Sequence, residues 1–198
     1  MILASSSPRR RDLLRQLGVE YTAIKPEVDE TPWPGETPLD TQHRITSEKV
    51  HAAQAGPDEV VIAADTTVLL DGEMLNKPVD AADAWAMLRR LRGRTHEVQT
   101  CIVIRQGEHE WREIVSSLVT MRNYSDEEIG AYIATGDPFD KAGSYAVQHA
   151  IFKPVASIQG CPLNVIGLPL CRLRAHLPQL PDPAKVCTGF WGGECQRE

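Results

Sequence analysis

The sequence predicts an α/β protein built on a mixed β-sheet. Three observations carry this: short apolar β-branched runs, helical apolar periodicity between them, and turns that join strands as hairpins. Residues 2–4 are the first apolar strand. Ser7 stands as N-cap and Pro8 at the first helical position, so a helix starts there. Leu13, Leu14 and Leu17 give it a buried face, and Gly18 ends it. Residues 19–24 read as a second strand, and residues 26–37 as a loop rich in proline and acid. Thr37-Pro38 opens a helix to about Ala55, stopped by Gly56-Pro57. Residues 59–64 form a central apolar strand that ends at Asp65. Residues 66–70 and 73–75 flank Asp71-Gly72 as a hairpin. Asp80 caps a helix through Leu91, closed by Gly93. Two long strands, residues 96–105 and 111–122, surround Gln106-Gly107. Ser125 and Glu128 make a capping box for a helix that Gly136-Asp137-Pro138 breaks. Short strands are expected at 144–148 and 151–158, and Pro169 opens a last helix to about Leu177. Residues 1–177 read as one domain and residues 178–198 as a poorly packed tail.

The 198 residues suit one domain or two lobes sharing a sheet, with a sizeable core. A formal net charge of −6 disfavours nonspecific binding to nucleic acid. Charge is unevenly placed. Arg9, Arg10, Arg11 and Arg15 crowd the first helix, while Glu27, Asp29, Glu30, Glu36 and Asp40 form an acidic stretch. One patch for phosphate and one for a metal account for that split; so do two solvated loops. No apolar run reaches the ~18 residues of a membrane span, and no secretory leader is visible. The five cysteines are scattered without a CxxC pair, which fits a reducing, cytoplasmic setting. Cys187, Cys195 and His176 lack the usual spacing of a structural zinc site.

The chemistry-bearing residues fall in a few places. Ser5, Ser6 and Ser7 meet a helix N-terminus, where unpaired N–H groups and a partial positive charge favour an anion. With Arg9 and Arg10 they suit a phosphate cradle, although the same residues suit an ordinary strand–helix turn with a solvated face. Asp65 stands where a strand of an open α/β sheet would present a ligand-facing carboxylate; a turn or cap residue is the alternative. Glu30 could join it as a metal ligand, although acidic loops are mostly solvated. Lys49, Lys77 in Asn76-Lys77-Pro78, and Lys141 before Ala142-Gly143-Ser144 suit a triphosphate. Singly, each also reads as surface charge. Gln148 carries an amide that can read a base edge, or simply finish a strand. No Walker A, GxGxxG, GxSxG or HExxH motif is present.

Taken together, these residues resemble the Maf family of nucleoside-triphosphate pyrophosphatases, over about residues 2–174. The likeness rests on Leu3-Ala4-Ser5-Ser6-Ser7-Pro8-Arg9-Arg10, Ala64-Asp65-Thr66-Thr67-Val68, Lys77-Pro78, residues 91–98, residues 140–148 and Asn164-Val165-Ile166-Gly167-Leu168-Pro169-Leu170. The resemblance implies an elongated, mixed and twisted β-sheet with flanking helices, related to inosine-triphosphate pyrophosphatases. It implies two lobes around a deep cleft and a homodimer. It also implies cleavage of a nucleoside triphosphate to monophosphate and pyrophosphate, dependent on a divalent metal cation such as Mg²⁺ or Mn²⁺. By the same resemblance Asp65 is the catalytic carboxylate, as base or metal ligand, with Glu30 its partner at the metal. Lys49 and Lys77 hold phosphates, and Ser5, Ser7, Arg9 and Arg10 lie at the phosphate and base end.

Arg10, Thr66, Lys141 and Gln148 match the branch that acts on dTTP and UTP. The branch resembling 7-methyl-GTP pyrophosphatase tends to carry Trp at the position of Arg9, Gln at Thr66 and Glu at Gln148. The expected substrates are therefore dTTP and UTP, with base-modified relatives behind them. The competing readings are 7-methyl-GTP hydrolysis and a nucleotide- or DNA-binding regulator of septum formation. Thr46-Ser47, Cys161-Pro162 and the tail after Leu177 depart from the family pattern.

Overall fold

β1 (Ile2–Ala4) pairs in parallel with strands on both sides, β2 (Thr22–Ile24) and β3 (Val60–Leu70). Its three residues are all buried, as a strand covered on both faces requires. The computed structural model describes residues 1–191. Among them a seven-stranded sheet runs β2-β1-β3-β5-β6-β7, with β4 (Glu73–Leu75) on β3. Here β5 is Thr95–Gln106, β6 is His109–Met121 and β7 is Val155–Gln159. The helices are α1 (Pro8–Leu17), α2 (Pro38–His51), α3 (Ala81–Leu91), α4 (Asp126–Ala134), α5 (Pro162–Ile166), α6 (Leu170–His176) and α7 (Ala184–Trp191). This is the expected mixed α/β sheet with flanking helices. No described helix is long and apolar enough to cross a membrane.

The chain divides into two compact units. One comprises Met1–Thr66, Thr100–Val115 and the chain from Pro162; the other comprises Thr67–Gln99 and Ser116–Cys161. In the first unit, alternation along β1 and β3 puts Ile2, Ala4, Val61 and Ala63 on one face, packed with Val50, Ala53, Cys101 and Val103. Leu3, Ile62 and Ala64 point the other way and are also buried. α1 begins at Ser7, yet the Ser7 side chain makes no capping bond; Gly18 closes the helix in the left-handed conformation. α2 is opened by a full capping box between Thr37 and Asp40. In the second unit α3 buries Ala84, Met87, Leu88 and Leu91. Tyr132 of α4 stacks on Phe152 at 4.4 Å, and Tyr124 sends its hydroxyl to the Leu88 carbonyl at 2.8 Å.

Four expectations change. β3 does not end at Asp65 but continues to Leu70, because residues 68–70 find a new antiparallel partner in residues 73–75. The strand expected at 144–148 is absent. Gly143 (φ +68°) and Ser144 (φ +62°) are left-handed, which breaks any strand, and the Gly143 N–H bonds the Asn76 carbonyl. A Cβ at Gly143 would sit 3.0 Å from Val68 Cγ1, so the backbone approach depends on glycine. α2 stops at His51 rather than Ala55. Finally, α5 and α7 form where no helix was expected, and Val186 and Cys187 of α7 are buried. The remainder of the expected tail, residues 192–198 with Cys195, lies outside the described residues.

His96, on β5, is buried with its Nε2 paired to the Tyr145 hydroxyl at 2.7 Å. Its Nδ1 has no partner. Protonation would bury a charge and strand an N–H, so desolvation pushes the imidazole down from 6.5 to about 4. The unfolded chain takes up that proton at higher pH than the folded one. Stability from this group is therefore complete above pH 6.5 and falls as pH drops toward 4, by about 3 kcal/mol over the window. His43 is shifted in the same direction, also by burial. Urea midpoints between pH 7 and pH 5 check this: they should fall with pH in the wild type, and His96→Gln, which cannot charge, should remove most of the slope.

Candidate active site

Two constellations form in the first unit. The first is built on α2. Residues 42 and 49 are two turns apart and lie on one face of the helix. The Gln42 amide donates to the Asp65 backbone carbonyl at 2.9 Å, and Lys49 Nζ donates to the Asp65 carboxylate at 2.9 Å. The same ammonium meets the Glu30 carboxylate at 2.7 Å. Lys49 is buried, the Asp65 side chain is 23% exposed and the Glu30 side chain 56%. One buried cation thus brings two carboxylates together and leaves both accessible. β1 ends at Ala4, and β3 passes beyond it with Asp65 in mid-strand. The carboxylate therefore stands past the end of β1, not at the end of its own strand.

The second constellation centres on Arg10. Its Nε donates to the Gly167 carbonyl at 2.8 Å, Nη1 to Ser5 Oγ at 3.1 Å and Nη2 to Thr66 Oγ1 at 3.0 Å. Desolvation lowers its pKa, against the opposing pull of the Asp65 carboxylate. Thr100 donates to the Asn164 carbonyl at 2.9 Å and lies 2.9 Å from Thr66 Oγ1. Proton directions follow. Thr66 accepts from Arg10 and passes its own proton to Thr100. Gly167 sits at φ +123°, where a Cβ would press on Thr66 Oγ1 at 3.3 Å. Ser5 Oγ also accepts the Ser7 N–H at 3.2 Å. The Ser7 hydroxyl makes no cap bond, and Arg9 is half-buried in the first turn of α1.

Lys77, Lys141 and Gln148 belong to the second unit. Lys77 is exposed beside Asn76, whose carbonyl holds Gly143. Lys141 is buried, and its ammonium is held by the Asp137 carbonyl at 2.5 Å, the Asp137 carboxylate at 2.8 Å and the Asp140 carboxylate at 2.6 Å. That saturates its three N–H groups with the protein's own oxygens. Gln148 is exposed in a turn rather than at the end of a strand. Sequence reasoning missed Gln42, Thr100 and Gly167 as parts of the site. A buried glutamine on an amphipathic helix was the only available signal for Gln42, and Gly167 lay inside a motif already noticed.

No cluster of three or more His, Cys, Asp or Glu side chains suited to a metal occurs among the described residues. Two hard carboxylates, Glu30 and Asp65, do meet on one ammonium. Such a pair fits Mg²⁺ or Mn²⁺ that draws its remaining oxygens from phosphate and water. The residues therefore fit the cation in the company of a phosphorylated substrate.

Removing Arg10 leaves one backbone carbonyl and two hydroxyls without their donor. Arg10→Ala should lower the unfolding free energy by about 2–4 kcal/mol, with Arg10→Lys recovering less than half because an ammonium lacks the fork. Urea unfolding at pH 7 measures both.

Comparison with known proteins places these observations. The sequence profile described as Maf-like protein matches residues 1–180. A dTTP/UTP pyrophosphatase of Cereibacter sphaeroides is 46% identical over 171 residues, 86% of this chain and 89% of that protein. A dTTP/UTP pyrophosphatase of Myxococcus xanthus is 46% identical over 186 residues, 92% of this chain and 94% of that protein. The solved Staphylococcus aureus Ham1 protein is a distant likeness, overlapping 62% of this chain and 71% of its own at 16% identity and a TM-score of 0.43. On the profile match and the identity along most of its length, the chain belongs to the Maf-like protein family.

Proposed function

We propose that the protein hydrolyses dTTP and UTP between the α and β phosphates, giving the monophosphate and pyrophosphate. The observation that carries this is the Lys49 ammonium holding Asp65 and Glu30 together. The names of the relatives supply the substrate. A cation held by those two carboxylates would screen phosphate charge and lower the pKa of the attacking water. Asp65 orients that water and accepts its proton. Lys49 turns from carboxylate to phosphate as substrate arrives. Ser7 and Arg9 bind phosphate at the start of α1, and Lys77 stabilises charge on the departing pyrophosphate. Ser5 and Arg10 act by holding the floor of this region, since most of their bonding capacity goes to each other, Thr66 and Gly167. Lys141, saturated by Asp137 and Asp140, reaches phosphate only by giving up one of those bonds; otherwise it fixes the segment that ends at Gln148.

Base choice follows from chemistry at Gln148, Thr66 and Arg9. Thymine and uracil offer two carbonyls flanking one N–H, and an amide can meet a carbonyl and that N–H together. Thr66 leaves room but spends its proton on Thr100, so its part is steric. A 7-methylguanine ring carries positive charge and calls for a carboxylate and an aromatic face. Arg9 stands where that face would be and repels the cation. A homodimer in the cytoplasm, without stable nucleic-acid binding, completes the proposal.

Purified protein should release pyrophosphate from dTTP and UTP only with Mg²⁺ or Mn²⁺, with EDTA abolishing turnover. A nucleoside diphosphate as first product sinks the mechanism. Asp65→Asn should keep the fold and lose ~10²–10⁴ in kcat, with a lowered melting temperature because the buried Lys49 ammonium loses a charged partner. Wild-type kcat/KM for dTTP and UTP should exceed that for 7-methyl-GTP at least ~10-fold, or ~1.4 kcal/mol. Gln148→Glu should narrow that ratio, and a preference for 7-methyl-GTP in the wild type favours the competing reading.

A further inference from the structure

Glu30 sits in a stretch with no regular structure between Ile24 and Pro38. Its side chain is more than half exposed. Nothing in its own sequence context fixes it, yet its carboxylate meets Lys49. The reason lies at Arg44, five residues before Lys49 on α2. The Arg44 side chain is only 11% exposed. Its Nη1 donates to the carbonyl of Asp29 at 3.2 Å, and its Nη2 to the carbonyl of Thr31 at 2.8 Å. Those two carbonyls flank Glu30. Nε and Nη2 grip the Glu36 carboxylate in a fork at 2.7 and 3.0 Å, and Nη1 reaches Glu48 at 3.3 Å. All five N–H groups of the guanidinium are thereby engaged. The Trp33 ring covers its face at 4.1 Å.

The loop is also tied to itself through the same partners. Glu36 accepts from the Trp33 N–H at 2.8 Å and from the Thr41 hydroxyl at 3.0 Å. The Thr31 N–H bonds the Asp29 carboxylate at 2.9 Å. Residues 29–36 are therefore wrapped around one guanidinium, and α2 presents both that guanidinium and the Lys49 ammonium to this loop. The first fixes the backbone on either side of Glu30; the second receives its carboxylate.

We propose that Arg44 is a positioning residue for Glu30, and that its clamp on residues 29–36 sets how tightly the enzyme uses its divalent cation. The proposal rests on the reading of Glu30 as a cation-holding carboxylate. Without the clamp, Glu30 must be ordered at the moment of cation binding, and apparent cation affinity falls by the fraction of time the loop is in place. Lysine cannot substitute. It has three donors on a point charge, and neither the fork to Glu36 nor the simultaneous reach to both flanking carbonyls survives.

The test uses four full-length proteins: wild type, Arg44→Lys, Glu36→Gln and Glu30→Gln. Glu36→Gln, an isosteric change, weakens the same clamp more gently should Arg44→Lys fold poorly. Two quantities are read: amide hydrogen exchange of residues 29–36 without substrate, and the Mg²⁺ concentration for half-maximal dTTP hydrolysis. Arg44→Lys should speed exchange in that segment at least ~10-fold and raise the Mg²⁺ requirement at least ~10-fold, with a smaller fall in kcat at saturating Mg²⁺. Glu36→Gln should move both in the same direction by less. Unchanged exchange in both Arg44→Lys and Glu36→Gln overturns the clamp. Faster exchange with an unchanged Mg²⁺ requirement, while Glu30→Gln raises that requirement, overturns the link to the cation and leaves the proposed reaction standing. A Glu30→Gln protein with wild-type Mg²⁺ dependence overturns the reading of Glu30 itself, and this proposal with it.

Discussion

Two carboxylates repel, and the structure brings Glu30 and Asp65 together only because Lys49 stands between them. A buried ammonium is itself costly unless paired, so the three groups hold one another in place. Much of the first unit follows from meeting that constraint. α2 must lie against β3 with residues 42 and 49 on its inner face. Gln42 then takes the Asp65 carbonyl while Lys49 takes the side chain, so backbone and carboxylate are fixed from one helix. The acidic loop must fold back onto the same helix, and Arg44 supplies the donors for it. Removing any one of these leaves a charge or a backbone group in a poor environment.

Arginines and lysines near a phosphate site divide by what surrounds them. The Arg10 guanidinium gives three of its donors to Gly167, Ser5 and Thr66. Lys141 is saturated by Asp137 and Asp140. Lys77 is exposed, and Arg9 is half-buried at a helix start. Basic residues that share a motif therefore differ in how far the fold already engages them.

The local signals were easy to read where they act locally. The Pro8 start and Gly18 stop of α1, the Thr37-Pro38 start of α2, the capping box of α4, and the Asp71-Gly72 hairpin all depend on residues within one turn of each other. Their physics is complete in the sequence. The departures share an opposite cause. Asp65 was placed at a strand end because the apolar run stops at Ala64, yet residues 68–70 found a partner and carried the strand onward. A strand was expected at 144–148, but Gly143 and Ser144 adopt left-handed geometry, with Gly143 against Val68 and Asn76.

Residue types and their order were enough to establish the α/β class, the candidate carboxylates and the family likeness, since these rest on propensity, capping and motif. They were not enough to say which donor meets which acceptor. Gln42 on Asp65, Arg44 around residues 29–36, and the links from Arg10 through Thr66 and Thr100 to Asn164 join positions 8 to 64 residues apart. A hydrogen bond forms or fails over a few tenths of an ångström, and that precision arises only when the strands and helices have packed.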